Sequence, residues 1–128
     1  MKDLDPDHDL NSVLQLFLAP DLQRLPDALD RDFVIFGLED GLFIHANAET
    51  FLFFLRQMRP ERGGKSEIAW TDRRGRLATA CLVQTEAGAE RTTYLTFIET
   101  ETGWQAVTAT FAVVEQQGAR VARPVMLQ

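Results

Sequence analysis

The chain has 128 residues, 45% of them hydrophobic, with a single cysteine and a formal net charge of −6. That length suits one domain with one core, and a lone cysteine excludes an intrachain disulfide framework. The acid excess sits in residues 1–50, eleven acids against three bases, while residues 51–128 hold eight acids and ten bases; the acidic half argues against non-specific nucleic-acid binding.

Asp3, Asp5, Asp7 and Asp9 precede the first apolar stripe, where the first turn of a helix favours acids. With no basic stretch before an apolar run, no signal peptide is expected. No apolar run approaches the 18 or so residues that span a bilayer, so no membrane contact is expected either. These features and the unpaired thiol make the cytoplasm the expected compartment. Leu10, Val13, Leu14 and Phe17 follow helical spacing and predict a first helix, ended by Ala19-Pro20. Asp21 to Asp30 reads as a short, broken helical segment, split or restarted at Pro26. Phe33 to Phe36 is a compact strand ended by Gly37, and Leu38 to Gly41 a turn. Leu42 to Ile44 reads as a second short strand or an extended loop. Asn47 is a good N-cap for a third helix carrying Phe51, Leu52, Phe54, Leu55 and Met58, stopped by Pro60 and Gly63-Gly64. Its apolar face is expected to lie against the concave side of the sheet.

Lys65 to Thr71, Leu77 to Thr85, Arg91 to Thr100 and Trp104 to Val114 then read as four strands. Gly-bearing turns join them into an antiparallel meander. Their alternation leaves both sheet faces apolar or small, although helices can cover only one. Leu95, Phe97, Val107, Phe111 and Val113 suit the helix-packed face. Thr92, Tyr94, Thr96, Thr108 and Thr110 suit a flatter contact, and Trp104 and Ala106 alternate in phase with the threonines. A second copy, sheet against sheet, is the expected cover, which makes a homodimer. Residues 1–115 form the domain in this reading. Residues 116–128 form a C-terminal tail that could add an edge strand.

The order of these elements resembles the NTF2-like superfamily, including its SnoaL-like and lumazine-binding-like small bacterial domains. Asp32-Phe33-Val34 opening the first strand, Gly41 before the third helix and Gly103-Trp104 opening the last strand carry the resemblance, over roughly residues 9–115. It implies an α+β cone with the cystatin-like architecture: three N-terminal helices packed on a strongly curved, mainly antiparallel sheet, with a pocket inside the cone. A small-molecule-binding domain is therefore expected, with two alternatives. One is an isomerase, dehydratase or cyclase acting on a small cyclic or carbonyl compound. The other is a non-catalytic dimerisation or docking module.

The chain departs from isomerase-like relatives where the resemblance implies a base near the end of the first strand. Phe36-Gly37-Leu38 stand there, with Glu39 and Asp40 following in a turn. His45, expected at the cone mouth before the third helix, is the acid–base candidate, with Asp40 to orient it and Tyr94 as donor. Trp70, Trp104 and Phe54 are the candidate ring-stacking lining of a pocket, and Glu67 a candidate acid if it faces inward. Cys81 reads as a small buried hydrophobe. Two distant histidines without a cysteine cluster give no metal-site spacing, and no cofactor is implied.

Overall fold

In the computed structural model of the chain, residues 6–57, 64–86 and 88–115 are described. Helix α1 (Pro6–Leu18) is followed by a single 3-10 turn (Leu25–Ala28), strands β1 (Leu29–Glu39) and β2 (Leu42–Asn47), and helix α2 (Ala48–Gln57). Strands β3 (Lys65–Arg74), β4 (Leu77–Glu86), β5 (Ala89–Thr100) and β6 (Gly103–Glu115) complete the fold. They form one six-stranded sheet in the order β2-β1-β6-β5-β4-β3. Every pairing is antiparallel except β1 with β6, which run parallel.

Two α-helices, not three, are present among the described residues. The Asp21–Asp30 segment makes only the four-residue 3-10 turn, because Pro26 sits at its start and the chain turns extended at Leu29. β1 is also longer than expected and runs through Gly37 to Glu39. Asp40-Gly41 closes the β1–β2 hairpin, with φ of 55° and 77° at its two central residues. That is the left-handed pair a two-residue hairpin turn requires, and aspartate and glycine are residues that tolerate it. β2 then continues to Asn47, whose Oδ1 accepts the backbone N–H of Thr50 at 2.9 Å and caps α2. Met58, Pro60 and Gly63, and the edge strand expected within 116–128, lie outside the described residues.

One sheet face is covered by the helices. Its core includes Phe33 and Ile35 of β1, Ala80 and Leu82 of β4, Leu95 and Phe97 of β5, and Ala106 and Ala109 of β6, against Leu10 and Leu14 of α1. Phe17 of α1 meets Phe97 edge-on, and Phe51 of α2 meets Phe33. α2 buries no residue fully: Phe51, Leu52 and Leu55 are half-buried and Phe53 and Phe54 point to solvent. Its apolar composition exceeds the surface it has to cover.

The last strand corrects an expected phase. Thr96 pairs with Thr108 but Phe97 pairs with Ala106, so Val107 is an extra residue. This bulge shifts the alternation by one. Trp104 and Ala106, expected beside Thr108 and Thr110, are buried on the helix-covered face instead, 2% and 0% exposed.

Candidate functional site

Strand register assigns each side chain to a face, and two rows carry the polar and aromatic groups of interest. On the outer face one row crosses the whole sheet: His45, Phe36, Thr110, Tyr94, Cys81 and Trp70, from β2 to β3. His45 stacks on Phe36 with ring centroids 4.7 Å apart and planes 6° apart. Phe43 lies against the same Phe36 ring at 6.1 Å. At the far end Trp70 and Tyr94 meet at 6.0 Å. Cys81 stands between them in the row and is buried, although it belongs to the outer face. Trp70 and Tyr94 are its cross-strand neighbours on either side.

Burial pushes the Cys81 thiol above its ordinary pKa. The folded thiol therefore ionises at higher pH than the unfolded one, near 8.5. Its contribution to stability is complete below the unfolded value and is lost as pH rises through the folded value. With thiolate suppressed and access blocked, Cys81 should react with a disulfide reagent at pH 7.5 at least about tenfold more slowly than in the unfolded chain. Trp70→Ala, which removes one of these neighbours, should restore much of the rate. An equally fast native thiol would show that the rings do not shield it.

The outer face also holds a groove of about 440 Å³. Phe36, Leu38 and Phe43 form one wall, Tyr94 the other, and Thr92, Thr110 and Ala112 the floor. A wider open cleft of about 740 Å³ runs from the 3-10 turn to the first half of α2 and the β5–β6 turn. Leu29, Ala48 and Leu52 give it an apolar floor. Part of its polar rim is already engaged: Gln105 donates to the Asp27 carbonyl, and Asp30 accepts from the Asp32 N–H.

On the helix-covered face the informative row is Glu39, Val113, Arg91, Gln84 and Ser66, at the end where β1 and β6 finish. Arg91 and Glu39 reach toward one another across β6 and pair at 3.3 Å. The guanidinium lies 4.7 Å above the centroid of the Phe111 ring. Phe111 in turn lies over Gly37, so close that a Cβ there would fall 2.0 Å from the ring. One row further in stand Thr93, Leu82 and Ile68, and Thr93 is the one buried polar side chain among the described residues. No buried side-chain nitrogen or oxygen there lacks a partner.

The expected site residues do not converge. His45 belongs to β2 and faces outward, not into a cone mouth. Asp40 is exposed in the turn beyond the start of β2, on the order of 10 Å along the strand from His45. Tyr94 shares the face and row of His45, but β1 and β6 intervene, so three strand spacings of about 14 Å separate them. Trp70 is beside Tyr94. Trp104 is buried on the other face, with Arg73 above it at 5.4 Å. Phe54 is half-exposed on α2, and Glu67 is exposed on the outer face of the edge strand. Glu39 occupies the helix-covered face, opposite to Tyr94. Arg91 is not among the candidates from the sequence, although it alternates in phase with Leu95 and Phe97. That parity, an arginine on the face of the core residues, was the available signal.

Among the described residues no group of histidine, cysteine and acid side chains could hold a metal ion, and no helix is long and apolar enough to cross a membrane. No protein-family model and no curated protein matches the chain. Solved structures do. An NTF2-like protein of unknown function from Shewanella baltica superposes with a TM-score of 0.74 at 19% identity, over 84% of this chain and 93% of that one. Another, from Silicibacter pomeroyi, gives 0.75 at 15% identity, over 84% and 95%. A ketosteroid isomerase-like protein from Erwinia carotovora atroseptica gives 0.58 at 14% identity, over 86% and 94%. At these identities the likeness establishes the fold, which is the NTF2-like, cystatin-like one.

Proposed function

We propose that this NTF2-like chain is a non-catalytic binding and assembly domain that works as a homodimer, joined through the outer face of its sheet. One observation carries the reading. Leu38, Phe43, Trp70, Leu77, Tyr94, Ile98 and Val114 are all on that face and are 43–67% exposed. Large apolar groups gathered on one face mark an interaction surface, whereas scattered ones need no explanation. Around them the rim is polar: Lys65, Glu67, Asp72 and Arg74 along β3, His45 and Asn47 along β2. Aromatic centre and charged rim are the composition of an interface.

The size fits as well. Six strands are roughly 29 Å wide, and eight residues of strand are roughly 27 Å long, so the face offers roughly 800 Å². A stable interface takes roughly 800 Å² from each partner. The threonine and alanine floor of the groove lets the Phe43–Leu38 wall of a second copy settle into it. Native mass spectrometry and light scattering at micromolar concentration should give twice the 14.5 kDa chain mass. A monomer at those concentrations would overturn the reading.

Small-molecule binding is the second reading. It is favoured by the polar row of Glu39, Arg91 and Gln84 at one end of an otherwise apolar, helix-covered face. An isomerase, dehydratase or cyclase finds less support, because His45, Asp40 and Tyr94 do not surround a common point.

A further inference from the structure

Resting on that second reading, we infer that the Arg91 end of the helix-covered face binds a carboxylate carried on an apolar body, and that Glu39 occupies Arg91 in its absence. Arg91 leaves most of its side-chain donors uncommitted. A guanidinium has five N–H donors in a planar fork. The Arg91 side chain donates from Nη2 to Glu39 Oε1 at 3.3 Å and makes no other hydrogen bond among the described residues. It is only a third exposed, so solvent screening is reduced, and the Phe111 ring fixes it from beneath. A planar anion such as a carboxylate matches two parallel donors of that fork, which one oxygen of Glu39 does not satisfy.

The surroundings supply the rest of the recognition. Thr93 lies on the same strand and face, and Gln84 is the cross-strand neighbour of Arg91. Inward of these polar groups the sheet turns apolar through Phe111, Leu82 and Ile68. Ile68 and Val113 are only partly buried, so apolar surface remains at this end for a ligand body. A head group at Arg91 and a hydrocarbon or aryl body over the partly exposed Ile68 and Val113 would each replace water with a matching partner.

A plainer role for Arg91 is to seal the end of the core, and the molecule provides its own control. Arg73 stacks over Trp104 and pairs with Glu99 at 3.9 Å, at the opposite end of the same face. Arg73, unlike Arg91, also commits its Nε, to the Gly75 carbonyl at 2.9 Å. A core seal would make the two arginines equivalent, and a ligand site would not.

The test uses decanoate and decanol as probes, below micellar concentration, with the full chain followed by calorimetry and by chemical-shift perturbation. Saturable decanoate binding is expected, with decanol at least about tenfold weaker. Arg91→Met should lose about tenfold or more of the decanoate affinity, and Arg73→Met should leave it unchanged. Glu39→Gln, which removes the competing charge, should tighten decanoate several-fold, by roughly the strength of a part-exposed pair. Arg91→Lys keeps the charge without the fork and reads the site even if the methionine variant misfolds; an intermediate loss is expected. Equal binding of the two probes, or equal losses at Arg91 and Arg73, overturns the carboxylate assignment while small-molecule binding stands. Binding of neither probe overturns both.

Discussion

Gly37→Ala should lower the melting temperature by on the order of 5–15 °C, out of proportion to one methyl group. The position is ordinary strand backbone, so the glycine is not needed for its conformation. It is needed for the space. An added Cβ would meet three atoms of the Phe111 ring at 2.0, 2.2 and 2.3 Å. The ring cannot swing away cheaply, because Phe111 is 7% exposed and the Arg91 guanidinium lies over it. Relief therefore requires either moving β1 away from β6 or displacing Arg91 from Glu39. Overpacking of this kind costs about 1–3 kcal/mol. Phe111→Leu in the Gly37→Ala background should recover much of the loss, and a double-mutant cycle by thermal or urea unfolding should show coupling of about 1–2 kcal/mol. If Gly37→Ala melts within about 1 °C of the parent chain, the close approach of Phe111 to β1 is not what holds this end of the sheet.

Gly37 also shows where the sequence was legible and where it was not. In a single chain, glycine after Phe33-Val34-Ile35-Phe36 reads as the end of a strand, because glycine weakens strands and marks turns. The close approach that requires it comes from Phe111, 74 positions later, through the parallel pairing of β1 with β6. Local alternation could not reveal that contact. Where pairing is local, the sequence suffices: the meander from β3 to β6 follows from its turns and periodicity, and the faces of β4 and β5 fall as their parity predicts. The phase of β6 failed at Val107, because a bulge inserts one residue without a composition signal. The short helix expected over Asp21–Asp30 failed for the opposite reason. Leu22, Leu25 and Leu29 have helical spacing, but ten residues containing Pro26 cannot sustain a helix once Leu29 pairs with Ala106.

The site was less legible than the fold, and His45 explains why. Its place before a helix suggested a loop at the mouth of a cone. β2 runs three residues further than its apolar content implies, since pairing with β1 supplies backbone bonds whatever the side chains are. That extension sets His45 flat against Phe36 on the outer face. Tyr94 cannot be both a phenol beside a carboxylate inside the cone and a member of the threonine-bearing outer face. Strand parity allows only the second. Arg91 and Glu39 are 52 positions apart, and neither is unusual in its own neighbourhood. Their meeting depends on three strands, β1, β6 and β5, lying side by side.

If the proposed homodimer forms through the outer face, Tyr94→Asp should convert it to a folded monomer, with the dimer dissociation constant raised by about a thousandfold. Tyr94 is 52% exposed in the single chain and walls the groove beside Thr110, with Trp70 against its ring. Tyrosine and tryptophan at the centre of an interface are the residues whose loss costs most, about 2 kcal/mol or more each. In a two-fold dimer every substitution occurs twice across the same contact, so about 4 kcal/mol, or nearly three decades, is at stake. The aspartate adds a charge that would have to be desolvated against the partner, which deepens the loss. The fold should survive, because Tyr94 contributes to no part of the helix-covered core; circular dichroism should be unchanged while light scattering reports the single-chain mass. Tyr94→Phe keeps the ring and should stay dimeric. Glu67→Lys, at the rim of the same face, should alter the salt dependence of association more than its strength. A Tyr94→Asp protein that remains a dimer of undiminished affinity would move the interface off this face. The apolar groups from Leu38 to Ile98 would then need a different partner.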